Sequence, residues 1–154
     1  TEVVVVIGVF AILISFGIPA YSRWKSKHDV EADIHRLYSD LQFARMKAYS
    51  EKVVWGVSWS TSPFSGYQVK HDSNNDGDIN DAAPTDTVAS SVTLRNPVTP
   101  NVALASASFD GRGFCNNLLS FYIVNSTGAA KDCVAVSSTR IELGKWNGAN
   151  CIAR

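Results

Sequence analysis

The chain has 154 residues, a length that suits one domain with a modest hydrophobic core. Its 14 lysines and arginines balance 14 aspartates and glutamates, so no strong electrostatic field draws the protein to nucleic acid or anionic lipid. The three cysteines form no CxxC pair and have no histidine at ligand spacing, which argues against a zinc site.

An uncharged apolar run from Val3 to Ile18 follows Glu2 at the start of the sequence. No basic segment precedes this run and no small-residue cleavage pattern follows it, so we expect it to be retained rather than removed as a signal peptide. Counted to Trp24, the segment has about 20 residues, near the lower limit for a helix that spans a bilayer. The run therefore predicts a membrane-spanning helix, and the alternative is a buried β-strand over its valine-rich start.

A second pattern begins after Pro19 and predicts that the same helix continues to about Lys52. Apolar residues recur there at spacings of three and four, which places them on one face of a helix. The charged residues between them, Asp33 included, are predicted to form a solvated face. This apolar stripe consists of Val30, Ile34, Leu37, Leu41, Ala44 and Ala48. Because Gly17 and Pro19 weaken a helix, we also expect a kink or a local melt near residues 15 to 20.

The predicted helix is too long for the rest of the chain to cover. From Thr1 to Lys52 it would measure about 75 Å. A β-domain of about 100 residues is too small to enclose a rod of that length. Half of the helix must therefore be covered by lipid or by copies of the same chain.

From Val53 onward the hydrophobic period falls to two, which predicts strands. The predicted strands are at residues 53–60, 66–71, 88–94, 102–109, 118–124, 132–137 and 139–145. Tight turns between them, such as the one at Asn96-Pro97, favour antiparallel pairing. The predicted fold class is α+β, with a long N-terminal helix packed on a small antiparallel sheet. Its parts are a transmembrane half of the helix at 1–24, an amphipathic half at 25–52 and a β-domain at 53–154.

A polar loop from Asp72 to Thr87 contains a candidate metal site. Oxygen-bearing side chains alternate along it and a glycine permits a bend, as in a calcium loop, in the order Asp72, Asn74, Asp76, Gly77 and Asp78. The twelfth position is Ala83 instead of a bidentate glutamate, and Asp81 substitutes for that glutamate only in part. Two interpretations stay open: calcium as a cofactor that fixes the loop, or a solvated turn rich in Asp and Asn with no cofactor.

Three cysteines allow three single disulfide pairings, and the sequence does not decide among them. We favour Cys133 with Cys151, because this bond would close the tail onto a late strand and remove chain entropy from an otherwise loose end. Cys115 beside Phe114 would then remain as a small buried hydrophobic residue. A disulfide would place the globular part outside the reducing cytoplasm.

No constellation of side chains points to an enzyme. His28 and His35 lie among charged residues of the helix and are predicted to face solvent, and His71 is not accompanied by an activated nucleophile. A DNA-binding patch is conceivable on the β-domain, but without interleaved aromatic residues ordinary surface charge is the better interpretation. The basic residues concerned are Arg112, Lys131, Arg140, Lys145 and Arg154.

The order of these features resembles the N-terminal half of type IV pilins and type II secretion pseudopilins. A carboxylate at Glu2, an unbroken apolar stretch, Pro19, aromatic and basic residues and an amphipathic continuation all occur in that order. Mature members of the superfamily begin with Phe-Thr-Leu-x-Glu, so the sequence given is expected to start three residues inside the mature N-terminus. The N-terminal amine that members methylate would then lie before Thr1.

Three later motifs are similar to those of the H-type pseudopilins and the related FimT and FimU minor pilins. They are the helix end Leu41–Ala48, the loop Asp72–Asp78 and the turn Phe109–Gly113. The resemblance implies a pilin fold and a structural subunit of a type IV pilus or type II secretion pseudopilus. Such a subunit polymerises through its N-terminal helix and has no enzymatic activity.

The resemblance also implies partners and a location. The subunit would sit in the inner membrane of a bacterium before assembly and in a periplasmic or extracellular filament afterwards. Its partners would be copies of itself, other pilins or pseudopilins, an assembly platform protein, an assembly ATPase and a prepilin peptidase. The alternative function is that of a minor or tip pilin that binds DNA or a secreted substrate.

Glu2 and Pro19 are the assembly residues that the resemblance implies. Glu2 would neutralise a positive end of the neighbouring subunit, and a low dielectric would make that contact selective for register. The alternative for Glu2 is an interfacial acid that is stabilised by the helix dipole alone.

Overall fold

The apolar stripe and the period-two segments form one long helix and an antiparallel sheet in a computed structural model of the chain, which confirms the predicted α+β class. The structure describes residues 2–81, 85–124 and 128–153, and within the helix the side chains of residues 2, 3, 6, 7 and 21 to 51. The C-terminal part of the helix packs on one face of the sheet, and the hydrophobic core lies between them.

Helix α1 spans Glu2–Glu51, close to the predicted range. The six stripe residues are all buried, with relative exposures of 0% to 2%, because they face the sheet. The helix ends where Lys52 takes a φ of 60° and its N–H donates to the Ala48 carbonyl at 3.0 Å. The predicted melt near residues 15 to 20 is wrong, since α1 continues through Pro19. A proline removes only one main-chain hydrogen bond, and the flanking turns keep theirs. The alternative prediction, a kink of the helix near residues 15 to 20, stays a prediction.

Eight strands follow the helix, and each pairs antiparallel with its neighbours. The strand order across the sheet is β4-β1-β2-β3-β5-β6-β7-β8. The strands are β1 (Trp55–Ser58), β2 (Phe64–Asp72), β3 (Asp86–Pro100), β4 (Ser106–Phe109), β5 (Leu119–Tyr122), β6 (Cys133–Val136), β7 (Ile141–Trp146) and β8 (Cys151–Ala153).

Strand β3 is longer than the predicted strand at 88–94, because the turn expected at Asn96-Pro97 does not form. Beyond the pair formed by Thr93 and Gly66 the ladder is irregular until Val98, and Pro97 lies within that irregular stretch. A proline is tolerated at such a position because it cannot donate to a ladder in any case. Strand β3 therefore continues far enough to pair with both β2 and β5.

The tail of the chain forms a strand that the sequence did not predict. Strand β8 pairs with β7 and is also joined to β6 by a disulfide between Cys133 and Cys151, whose Cα atoms are 5.8 Å apart. This is the pairing favoured from the sequence. A strand of three residues is too short to show a period of two, so only its covalent bond pointed to an ordered tail.

Three acidic side chains attach the helix to the sheet at the end of the stripe where Val30 lies. We call Asp29, Glu31 and Asp33 the clamp. They bind residues of β3 and of the segment before β6. Asp29 pairs with Arg95, Glu31 Oε1 accepts the Ala130 N–H at 2.7 Å, and Asp33 Oδ2 accepts the main-chain N–H and the Nδ2 of Asn96, both at 2.8 Å.

Asp33 was expected on the solvated face of the helix, and that expectation is wrong. Asp33 is buried, with a relative exposure of 8%. The carboxylate is retained in this position because it satisfies a main-chain N–H that has no ladder partner at the irregular part of β3. Asp33 thus replaces one sheet hydrogen bond that β3 lacks near Pro97.

The N-terminal half of the helix is not covered by the rest of the described chain. None of the described side chains before Val30 is buried, and Val3, Ile7 and Trp24 are 70%, 63% and 61% exposed. Most side chains of the apolar run Val3 to Ile18 lie outside the described residues. Within the residues that are described, no helical stretch is both long and apolar enough to cross a membrane.

Candidate functional site

The two predicted assembly residues both lie in the uncovered half of α1. Glu2 is the first residue of the helix and is exposed, so its carboxylate lies where the helix dipole stabilises a negative charge. The main chain of Pro19 is helical, and its side chain lies outside the described residues. The part that either residue plays in assembly stays a prediction.

Two motifs that are far apart in sequence contact each other at the opposite end of the helix. Arg45, from the motif Leu41–Ala48, donates from Nε to the carbonyl of Gly113 at 2.9 Å. Gly113 closes the motif that begins at Phe109, has a φ of +80°, and lies against the Arg45 and Tyr49 side chains. This contact connects the C-terminal part of the helix to the turn after β4.

The turn after β4 is held by the carboxylate of Asp110. Its Oδ1 accepts the N–H groups of Arg112 and Phe114, both at 2.9 Å. At Gly111 a Cβ atom would lie 2.9 Å from the main-chain carbonyl of Lys52, so only glycine lets the turn approach the end of the helix this closely. The two motifs therefore form one structural joint.

The acidic loop, residues Asp72 to Asp81, follows β2 and satisfies its own main-chain N–H groups. Asp72 accepts the N–H of Asn75 at 2.6 Å and of Gly77 at 2.8 Å, and Asp76 accepts the N–H of Asp78 at 2.9 Å. Positive φ values at Asn75 (59°) and Gly77 (91°) turn the chain so that these N–H groups meet the carboxylates. The Asp78 N–H, followed by the Asn74 amide, holds the pKa of Asp76 below its usual value.

This hydrogen bonding is that of an Asx-rich turn. The five predicted calcium ligands are brought onto one loop, but the described residues contain no group of three or more His, Cys, Asp or Glu side chains placed to hold a metal ion. The twelfth position, Ala83, lies outside the described residues. Calcium binding by the alternating side chains of this loop stays a prediction, and the observed arrangement does not favour it.

Asp86 is a buried carboxylate that the sequence analysis missed. It begins β3 directly opposite Asp72 of β2, and both residues are buried, at 0% and 2% exposure. Asp86 Oδ2 accepts the main-chain N–H of Asp81 at 2.7 Å, whereas Oδ1 is buried without a hydrogen-bond partner. Burial raises the pKa of Asp86, the Asp81 N–H bond opposes that rise, and the nearby carboxylates of Asp81 and Asp72 add to it. Only its position across from Asp72 at the end of a hairpin would have drawn attention to it.

Three of the five residues of the predicted basic patch form ion pairs with acidic side chains: Arg112 with Asp110, Arg140 with Glu142, and Lys145 with Asp132. Asp132 is buried, so the Lys145 pair belongs to the structure of the β-domain. Arg154 lies outside the described residues. DNA binding by these residues stays a prediction.

The three histidines and the free cysteine lie in surroundings that the structure describes. His28 and His35 are exposed, as predicted, and His71 stacks on Trp55 with ring centroids 4.7 Å apart. Cys115 is buried and unpaired, and its thiol donates to the Asn117 carbonyl at 3.1 Å. Burial raises the pKa of this thiol, which keeps it in the neutral form.

Comparison with known proteins relates this architecture to a family. Residues 33–140 match the family described as type II transport protein GspH. No curated protein matches the chain. Two crystal structures of the type IV minor pilin FimU of Pseudomonas aeruginosa are similar in fold. One, in space group P21, has a TM-score of 0.60 and 16% identity, covering 79% of this chain and 92% of FimU. The other, in space group P65, has a TM-score of 0.57 and 15% identity, with 75% and 92% coverage.

Proposed function

Since this chain belongs to the GspH family of type II transport proteins, which makes it a structural subunit of the pilin or pseudopilin kind, we propose that it polymerises into a filament through its N-terminal helix. The family and the fold confirm the resemblance that was read from its motifs. The joint between Arg45 and Gly113 gives a structural role to two of those motifs. The family match and this joint support the role of a structural subunit rather than that of an enzyme.

The observation that carries this proposal is the uncovered half of α1. The helix has 50 residues, and burial of its described side chains begins only at Val30. The preceding stretch would extend about 40 Å beyond the sheet. Apolar side chains such as Val3 and Ile7 are stable in that position only if lipid or other subunits remove them from water. A filament whose core is made of such helices would do so.

The proposed sequence of events starts in the inner membrane of a bacterium. The apolar run of the helix would anchor the subunit there, and assembly would transfer the helix from lipid to a core of neighbouring helices. The partners would be copies of the chain, other pilins or pseudopilins, and the platform protein, ATPase and peptidase of the assembly system. The β-domain would face outward and form lateral contacts.

A substitution at Glu2 tests the proposal. In a bacterium that assembles these filaments, Glu2→Ala is expected to abolish incorporation, because the carboxylate would no longer pair with a positive group in the low dielectric of the core. Immunogold electron microscopy of the filaments measures incorporation, and immunoblotting of membranes confirms that the subunit is present. Glu142→Ala removes a half-buried carboxylate of the β-domain, which pairs with Arg140, and is the matched control. Normal incorporation of the Glu2→Ala subunit would contradict the proposal.

A further inference from the structure

The turn between β7 and β8 contains the one Asn-Gly pair of the sequence, Asn147 and Gly148. It joins Trp146, the last residue of β7, to Cys151, the first residue of β8. Both residues of the pair are exposed, so water reaches them. The disulfide from Cys151 holds the far side of the turn to β6. The amide side chain of Asn147 therefore lies in an ordered turn that is open to solvent.

The side-chain carbonyl of Asn147 is held by two main-chain donors. Its Oδ1 accepts the N–H of Ala149 at 2.9 Å and the N–H of Asn150 at 2.8 Å. Two N–H groups on one carbonyl oxygen stabilise the negative charge that develops there when a nucleophile attacks the carbonyl carbon. The turn thus activates the Cγ atom of Asn147 towards a nucleophile.

The main-chain nitrogen of Gly148 is placed to be that nucleophile. Among the hydrogen bonds of the described residues, none uses its N–H. Gly148 has a φ of +99°, and a Cβ atom at this position would meet nothing within 4 Å, so no neighbour shields the nitrogen. The nitrogen and the Cγ atom of Asn147 belong to adjacent residues, and a bond between them closes a five-membered ring. Such an intramolecular attack has a large entropic advantage over attack by water.

We propose that Asn147 is a site of spontaneous deamidation that the fold of this turn promotes. The Gly148 nitrogen gives up its proton and forms a bond to Asn147 Cγ, the bond from Cγ to Nδ2 breaks, and the side-chain nitrogen leaves as ammonia. Water then opens the cyclic imide at one of its two carbonyl carbons, which yields aspartate or isoaspartate. No oxidant or cofactor is needed, and the inference is independent of the filament role.

The two products change the turn in different ways. Aspartate adds a negative charge and keeps the main chain as it was. Isoaspartate also lengthens the main chain by one carbon atom, so the bond from the Asn147 N–H to the Asn150 carbonyl, now 3.2 Å, must change. Because the bond between Cys133 and Cys151 is covalent, the tail stays attached to β6 in both products. Deamidated chains are therefore expected to remain folded and to differ from new chains by one charge.

The test follows the full chain in detergent micelles at pH 7 for several days, both folded and unfolded in guanidinium. After reduction and trypsin digestion, mass spectrometry of the peptide Trp146–Arg154 measures deamidation at Asn147 and Asn150 separately. Asn147 is expected to react at least as fast in the folded chain as in the unfolded chain, because its two N–H donors are present only in the fold. Asn150 is exposed in the same turn but precedes Cys151, so it is expected to react several-fold more slowly and is the internal control.

A pair of variants isolates the effect of one donor. Ala149→Pro removes an N–H from Asn147 Oδ1 and is expected to slow the reaction several-fold in the folded chain while leaving the rate in guanidinium unchanged. Ala149→Ser keeps the N–H, is expected to react like the wild type, and is the matched control. Circular dichroism confirms that both variants are folded.

Two results would overturn the proposal. One is slower deamidation of Asn147 in the folded wild type than in the unfolded chain, because the turn would then protect the side chain. The other is an equal rate in folded Ala149→Pro and folded Ala149→Ser, because the N–H donor would then have no effect. If Ala149→Pro does not fold, the comparison of folded and unfolded wild type decides alone.

Discussion

Among single residues, the buried carboxylate of Asp33 makes a contact that is expected to stabilise the fold. It accepts two hydrogen bonds from Asn96, one of them from the main chain. Neighbouring Asp29 forms an ion pair with Arg95, whose side chain is 72% exposed. Both are acidic, both lie on the same turn of the helix and both bind β3, but only Asp33 is buried. The pair therefore separates the effect of burial from the effect of charge.

We expect Asp33→Ala to lower the free energy of unfolding by about 2 kcal/mol, because it leaves a main-chain N–H and an amide without an acceptor. Asp29→Ala removes only a surface ion pair and is expected to cost less than about 1 kcal/mol. Urea unfolding followed by the fluorescence of the buried tryptophans measures both values. Equal losses in the two variants would show that the burial of Asp33 does not matter.

The buried thiol of Cys115 gives a prediction that depends on pH. Because burial raises its pKa above the ordinary value of 9.0, the neutral thiol contributes stability that is fully present below pH 9. That contribution is lost as the pH rises through the folded-state pKa. Since the thiolate is the reactive form, the folded chain at pH 8 should react with iodoacetamide at least about tenfold more slowly than the urea-unfolded chain. Equal rates would contradict the assigned burial.

At the level of elements, the helix stripe carries most of the packing between helix and sheet. Leu37 is fully buried, whereas Met46 on the same helix is 64% exposed. Leu37→Ala is expected to lower the free energy of unfolding by about 3 kcal/mol, because it removes buried methyl groups and leaves a cavity. Met46→Ala is expected to change it by less than about 0.5 kcal/mol. Urea unfolding of the two variants measures the difference, and similar values would show that the stripe does not face the core.

The helix was predictable because its signal is local. Its stripe repeats at a helical spacing from Val30 to Ala48, and all six members are buried. The limits of the sheet were less predictable because they depend on partners elsewhere in the chain. Strand β3 passes Pro97 since its ladder is irregular there, and β8 is ordered by its pairing with β7 and by a disulfide.

In the candidate sites, too, local features were predictable and features that depend on distant partners were not. The alternating oxygens from Asp72 to Asp78 were visible in the sequence, and so were the two motifs that meet through Arg45 and Gly113. The sequence left open whether the loop carboxylates bind calcium or form a turn rich in Asp and Asn, and in the structure they accept main-chain N–H groups of the loop. Asp86 was missed because its importance comes from facing Asp72 across two strands, which only the register of β2 and β3 reveals.

At the level of the whole molecule, the described contacts divide the chain near the clamp. No described side chain before Val30 is buried, so the β-domain and the C-terminal part of the helix contain the core. Removal of residues 1–28 is therefore expected to leave a folded, monomeric chain whose free energy of unfolding changes by less than about 0.5 kcal/mol. Urea unfolding and sedimentation velocity check stability and monomeric state. A loss of several kcal/mol would mean that the N-terminal half contributes to the core.

The clamp also fixes the angle between the long helix and the sheet. Asp29, Glu31 and Asp33 hold one turn of the helix to β3 and to the segment before β6, so the rod cannot tilt relative to the sheet without breaking one of those bonds. Every copy would present its lateral surfaces in the same orientation relative to its rod. When many rods are stacked side by side, that single angle would be repeated at each step. The rise and rotation of the resulting filament would then depend on the three carboxylates that fix this angle.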